Sequence, residues 1–155
     1  MDSENKSELI NKLENSFKEA IAYYEGHGAN SEAKVGDWGP KETLAHMVYF
    51  CERNAQAIQD AIAGKGPLPI LEPPYTDVND LNASKVSEYA NTSLEELILI
   101  ATASHYKMLE GAKALSSLET PIILRPNGEI QTAQVRIEGT ANHWINHVNW
   151  LKESS

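Results

Sequence analysis

Apolar residues return at three- and four-residue steps in four long stretches of the chain, and the gaps between those stretches hold most of its Gly and Pro. Leu9, Leu13, Phe17, Ala20 and Tyr24, with Lys and Glu between them, predict an amphipathic helix over about residues 4–25 that stops at "EGHGAN". Leu44, Met47, Val48, Cys51, Ala55, Ile58 and Ile62 give the apolar face of a second helix. Pro40 suits its first position, Glu42 its first turn, and Gly64 and Gly66 its end. Leu94, Ile98, Ala101, Met108 and Ala112 mark a third helix, where Thr92 and Ser93 each have a glutamate three residues on and either can set a capping box. Ile137, Ala141, Trp144, Val148 and Leu151 mark the last, from about Ala133 to Lys152.

The connections are less regular. "PLPILEPPYTDV" is a proline-rich crossing segment, long for a compact domain, so it is expected to cover something or to carry function. A short helix is expected over "VNDLNASKVSEYA". "IIL" and "EIQT" flank Pro-Asn-Gly, the pattern of a short two-stranded hairpin before the last helix. The class is therefore all-α: a four-helix bundle with one long crossing connection between the second and third long helices, in one domain over residues 1–155.

Composition narrows the function. A net charge of -9 opposes a partner rich in phosphate, so nucleic acid and anionic membrane surfaces are not expected. The single cysteine, Cys51, permits no internal disulfide and no CxxC metal site, and it reads as a small buried hydrophobe. The polar, acidic start "MDSENKSELI" lacks the basic and apolar regions of a signal peptide, and no run reaches the ~18 apolar residues of a membrane span. A cytoplasmic location is expected.

The candidate chemistry lies in "ANHWINHVNWLKE". On a helix His143 and His147 share one flank, beside the apolar stripe and in line with Arg136, Thr140 and Trp150. The pair alone has two readings: two ligands of one cation, or a solvated or hydrogen-bonded pair. Trp144 stands where an HExxH protease needs its glutamate, so that chemistry is not supported. His46 lies at the border of the second helix's apolar face, near Phe50. Three histidines on two helices match the three-imidazole set of open metal sites, and zinc and nickel both suit imidazole. His105 falls within the third helix's stripe and reads as a neutral core histidine with one hydrogen-bond partner, in preference to a fourth ligand. His27, in a glycine-flanked turn, reads as solvated. Trp38 and Trp150 read as core or rim packing.

"DWGPKETLAHM", "TDVNDLNASKVSEYANTSLEELI" and "GTANHWINHVNWL" together resemble the DinB-like superfamily, in the branch of mycothiol-dependent maleylpyruvate isomerases and bacillithiol transferases. The resemblance runs from about Trp38 to Trp150. It implies an up-down-down-up bundle, often dimeric, with a divalent metal on His46, His143 and His147; some members carry glutamate at the position of His143. It further implies a metal-bound low-molecular-weight thiol (bacillithiol, mycothiol or glutathione) and a small-molecule substrate undergoing S-transfer, thiol-dependent isomerisation or detoxification. Arg136, and beside it Arg53 and Tyr49 on the His46 side of the second helix, are candidates to bind the thiol or substrate. Asn79 and Asn82 match a recurrent stretch without an assigned role. The competing expectation is a non-catalytic metal- or small-molecule-binding bundle.

Overall fold

A computed structural model of the chain describes residues 2–154, and the side chains of residues 5–154. The helices are α1 (Asp2–Glu25), α2 (Pro40–Ile62), the short α3 (Val78–Glu88), α4 (Leu94–Ala114) and α5 (Ala133–Glu153). Helix α1 packs on α4 and α5, and α2 packs on the same two, so the four long helices follow the order α1, α4, α2, α5 around one core. Consecutive α1 and α2 lie diagonally. This arrangement puts α2 and α5, the two histidine-bearing helices, side by side.

The helix starts follow local chemistry. Pro40 opens α2, and Glu42 Oε1 accepts the Gly39 N–H at 2.9 Å. Ser93, not Thr92, caps α4 by accepting the Glu96 N–H at 3.0 Å. Thr132 caps α5 and Asp77 caps α3.

The α5 stripe Ile137, Ala141, Trp144, Val148 and Leu151 is buried throughout, as are the five apolar residues marking α1. Two expectations are corrected. Ile62, the last residue of α2, is 45% exposed, because it lies at the helix end beyond the packed face. Leu94 and Ile98 are only half-buried, since Leu97 and Leu109 take the inward positions of α4. Gly111 sets the closest approach of α4 to α2: a Cβ there would stand 2.9 Å from Ile58 Cγ2.

A small sheet closes one side of the bundle. Its strands are β1 (Leu68–Pro69), β2 (Pro121–Leu124) and β3 (Ile130–Thr132), with β1 parallel and β3 antiparallel to β2. The expected hairpin is β2–β3, turning at Gly128 with φ +89°, a conformation that favours glycine. β1 is an addition from the crossing segment: two residues are too few to show a period, and only pairing with β2 makes them a strand. Among the described residues no helix is long and apolar enough to cross a membrane.

Candidate metal centre

A polar seam runs along the contact of α2 with α5. His46, Phe50 and Asn54 recur every four residues on one flank of α2, and Arg136, Thr140, His143 and His147 recur on the facing flank of α5. At one end Asn54, fully buried, donates from Nδ2 to Thr140 Oγ1 (3.0 Å) and accepts at Oδ1 from Arg136 Nε (3.0 Å). Thr140 in turn donates to the Arg136 carbonyl at 2.8 Å. These bonds fix the rotation of α5 relative to α2. One to two turns further along, the same register brings the histidines together.

The imidazoles of His46, His143 and His147 converge, with one ring nitrogen of each lying within 4.8 Å of the others. His46 Nε2 stands 3.3 Å from His143 Nε2, and His143 Nε2 stands 2.7 Å from His147 Nε2. In a tetrahedral site with metal–nitrogen bonds of about 2.0–2.1 Å, two ligand nitrogens lie about 3.3 Å apart. The first separation already has that value. The second is a hydrogen bond between imidazoles, which an ion would replace. His46 Nδ1 stands 3.0 Å from Asn82 Oδ1 on α3; with the proton on Nδ1 donating to that amide oxygen, Nε2 presents its lone pair to the cluster. Asn82 thus gains a positioning role that the sequence pattern left open.

All three rings are held neutral. Burial lowers His46 to about 4, against a smaller opposing effect of the Asn82 hydrogen bond. Burial, then His147, His46 and Arg136, lower His143 to about 3. Burial and His46 lower His147 to about 4. Neutral imidazoles are the form that a divalent cation needs, once the proton shared between His143 and His147 moves to a ring nitrogen facing away from the cluster. The donor set fits one ion with positions left open.

The rim of this cluster is aromatic. Trp38 lies 5.1 Å from His46 and Trp150, 45% exposed, lies 5.0 Å from His147, ring centre to ring centre. Trp144 instead fills the core, fully buried. Phe50 lies against His46 (5.1 Å) and His143 (6.2 Å) and separates the cluster from a cavity of about 230 Å³ beyond it.

The remaining candidates fall around this centre. Arg136 lines the cavity behind Phe50, and its guanidinium also donates to Gln131 Oε1 at 3.0 Å. Tyr49 donates to the Ile70 carbonyl (2.7 Å) and accepts from the Glu72 N–H (3.1 Å), while Arg53 Nε donates to the Pro69 carbonyl (2.8 Å). Both hold the crossing segment, and both line a separate cavity of about 570 Å³ that includes none of the three histidines. His105 is fully buried and outside the cluster, as expected of a core residue, but the expected hydrogen-bond partner is not there: neither ring nitrogen has one among the described residues. It stacks flat on Phe17 at 3.9 Å instead, because the α1 side chain facing it is a phenyl ring. Asn79 is exposed and uses its backbone N–H on Asp77. His27 is exposed, and Cys51 is buried with its thiol pushed up to about 12 by burial.

Two solved structures superpose on this architecture, a mycothiol-dependent maleylpyruvate isomerase and a histidine-to-alanine variant of the same enzyme. The TM-score is 0.77 for each, over 94% of this chain, at 11% and 10% identity. The chain shares the fold of the matched part of that isomerase. It spans 60% of the length of those two isomerase chains. No protein-family profile and no curated protein matches the sequence. At such low identity the likeness concerns backbone architecture, and the chemistry rests on this chain's own side chains.

Proposed function

We propose that the protein is a divalent-metal-dependent enzyme acting through a low-molecular-weight thiol, with His46, His143 and His147 as the metal ligands. The observation that carries this reading is the convergence of three neutral imidazoles at an aromatic-rimmed position on the α2–α5 seam. The fold shared with an isomerase described as mycothiol-dependent supports a thiol as the co-substrate. A zinc or nickel ion at the triad would supply positive charge that favours the thiolate form of a thiol at neutral pH.

In this reading the chain's residues have separate tasks. Asn82 holds His46 in the tautomer that binds through Nε2, and the Asn54–Thr140–Arg136 network keeps α5 in register so that His143 and His147 meet it. Trp38 and Trp150 wall the approach, and Arg136 binds an anionic group of the thiol or substrate. The reaction class is S-transfer to, or thiol-dependent isomerisation of, a small electrophile. An up-down-down-up helix order, a homodimer and a cytoplasmic setting belong to the same reading.

The test is turnover. Zinc- or nickel-loaded protein incubated with bacillithiol, mycothiol or glutathione and an aryl halide or epoxide is expected to consume thiol, and the consumption is expected to disappear on His147→Ala. Inactivity of the metal-loaded protein with all three thiols would remove the enzymatic reading and leave a metal-binding bundle without turnover.

A further inference from the structure

The chain has only three arginines, and two of them, Arg125 and Arg136, line the same cavity of about 230 Å³ behind Phe50. They come from different elements: Arg125 from the β2–β3 turn, Arg136 from the first turn of α5. Ion pairs among the described residues all belong to lysines, so neither guanidinium has a carboxylate partner there. Among the described residues Arg136 is held only by the neutral amide oxygens of Asn54 and Gln131, at 3.0 Å each. Burial, and then the charge of Arg125, lower its pKa to about 10. In a chain of net charge -9, two cations line one small space that holds a single acidic lining residue, Asp77, ion-paired to neither. A poorly solvated guanidinium paired only with neutral groups is costly, and an anion bound by both would offset that cost.

The other walls define what carries the anion. Phe50, Ile70, Leu71, Val78 and Pro126 are apolar, and the one acidic lining residue, Asp77, has Oδ1 occupied by the Asn79 and Asp80 N–H groups at the start of α3. A second, outer cavity of about 340 Å³ adjoins the first and shares Leu71, Thr76, Arg125 and Pro126 with it. Arg125, exposed and without a side-chain hydrogen bond among the described residues, lines both spaces.

We propose that Arg125 and Arg136 form a carboxylate subsite for a small organic acid, whose apolar part lies on Phe50 and Leu71. The subsite deepens the function proposed above by naming the chemical class that approaches the triad, but binding there needs neither metal nor thiol. A bidentate guanidinium suits the planar carboxylate, and the apolar lining suits an organic body more than a fully hydrated inorganic anion.

The probes are benzoate, its neutral counterpart benzamide, and inorganic phosphate, titrated by NMR against chelator-treated full-length protein and followed at the arginine side-chain Nε–H signals. Benzoate is expected to saturate a shift of Arg136 Nε–H and to bind about tenfold or more tightly than benzamide or phosphate. Arg125→Ala, at an exposed residue with no side-chain hydrogen bond among the described residues, is expected to weaken benzoate about ten- to a hundredfold without altering the circular dichroism spectrum. Arg136→Lys, which keeps the charge and loses the fork, is expected to weaken it also. Equal binding of benzoate and benzamide, equal binding of phosphate, no saturable benzoate shift, or unchanged affinity in Arg125→Ala would each overturn the subsite. Because the protein is metal-free, these results stand apart from the turnover test: carboxylate binding with no turnover defeats only the enzymatic reading, and turnover without carboxylate binding defeats only the subsite.

Discussion

His105 gives the sharpest stability prediction. Its ring is fully buried between α1 and α4, both nitrogens lack a partner among the described residues, and burial lowers its pKa from 6.5 to about 4. Glu14 on α1 opposes that shift and Lys18 adds to it, but these two are paired with each other at 3.0 Å and so act on His105 in opposite senses. The linkage sign is fixed by the direction of the shift. Above pH 6.5 neither the folded nor the unfolded chain holds this proton; between 6.5 and about 4 only the unfolded chain does, so stability falls as pH falls through that window. From pH 7 to pH 5 the loss attributable to this one ring is about 2 kcal/mol. His105→Leu removes the titration. At pH 7 the variant loses the Phe17 stack (about 0.5–1.5 kcal/mol) and gains by removing an unpaired ring N–H (about 1–3 kcal/mol), so the two stabilities lie close together. At pH 5 the variant is the more stable, by about 2 kcal/mol beyond any difference at pH 7. Urea denaturation of both proteins at both pH values, with chelator present, measures this double difference, and the three triad histidines cancel because both proteins carry them. Parallel loss of stability in the two proteins would refute the burial argument for His105.

Three further outcomes follow from single contacts. Gly111→Ala forces a Cβ to 2.9 Å from Ile58 Cγ2, and thermal or urea unfolding is expected to show a loss of about 1–3 kcal/mol despite alanine's better helix propensity. Asn82→Ala removes the oxygen 3.0 Å from His46 Nδ1, and chelator competition is expected to show metal affinity reduced about ten- to a hundredfold with circular dichroism unchanged. Cys51, fully buried and with its thiol raised to about 12, is expected to resist Ellman's reagent in native protein at pH 8 and to react at once in denaturant; rapid native labelling would contradict its placement.

Helix spacing made much of this legible in the sequence. A 3.6-residue period is local, so all four long helices could be read, and the α5 stripe proved buried residue by residue. The triad was legible for the same reason: His143 and His147 share a face by spacing, and His46 stands at the border of a readable apolar face. Asn54 carries the same signal, eight residues after His46, but a polar residue within an apolar run does not by itself reveal Thr140 and Arg136 as its partners. What escaped depends on contacts between distant segments. β1 exists only through its pairing with β2, and Arg125 reaches the cavity behind Phe50 only because the hairpin folds against the crossing segment. The missing partner of His105 was equally invisible, since the sequence does not say that Phe17 will face it.

The central claim is that His46, His143 and His147 hold one divalent ion, and metal content tests it most directly. Protein purified without a nickel column, then equilibrated with zinc or nickel and desalted, is expected to retain about one equivalent per chain, and His46→Ala or His147→Ala about a tenth of that or less, with the metal-induced rise in melting temperature lost as well. Wild-type protein that retains no metal, or variants that retain as much as wild type, would contradict the account.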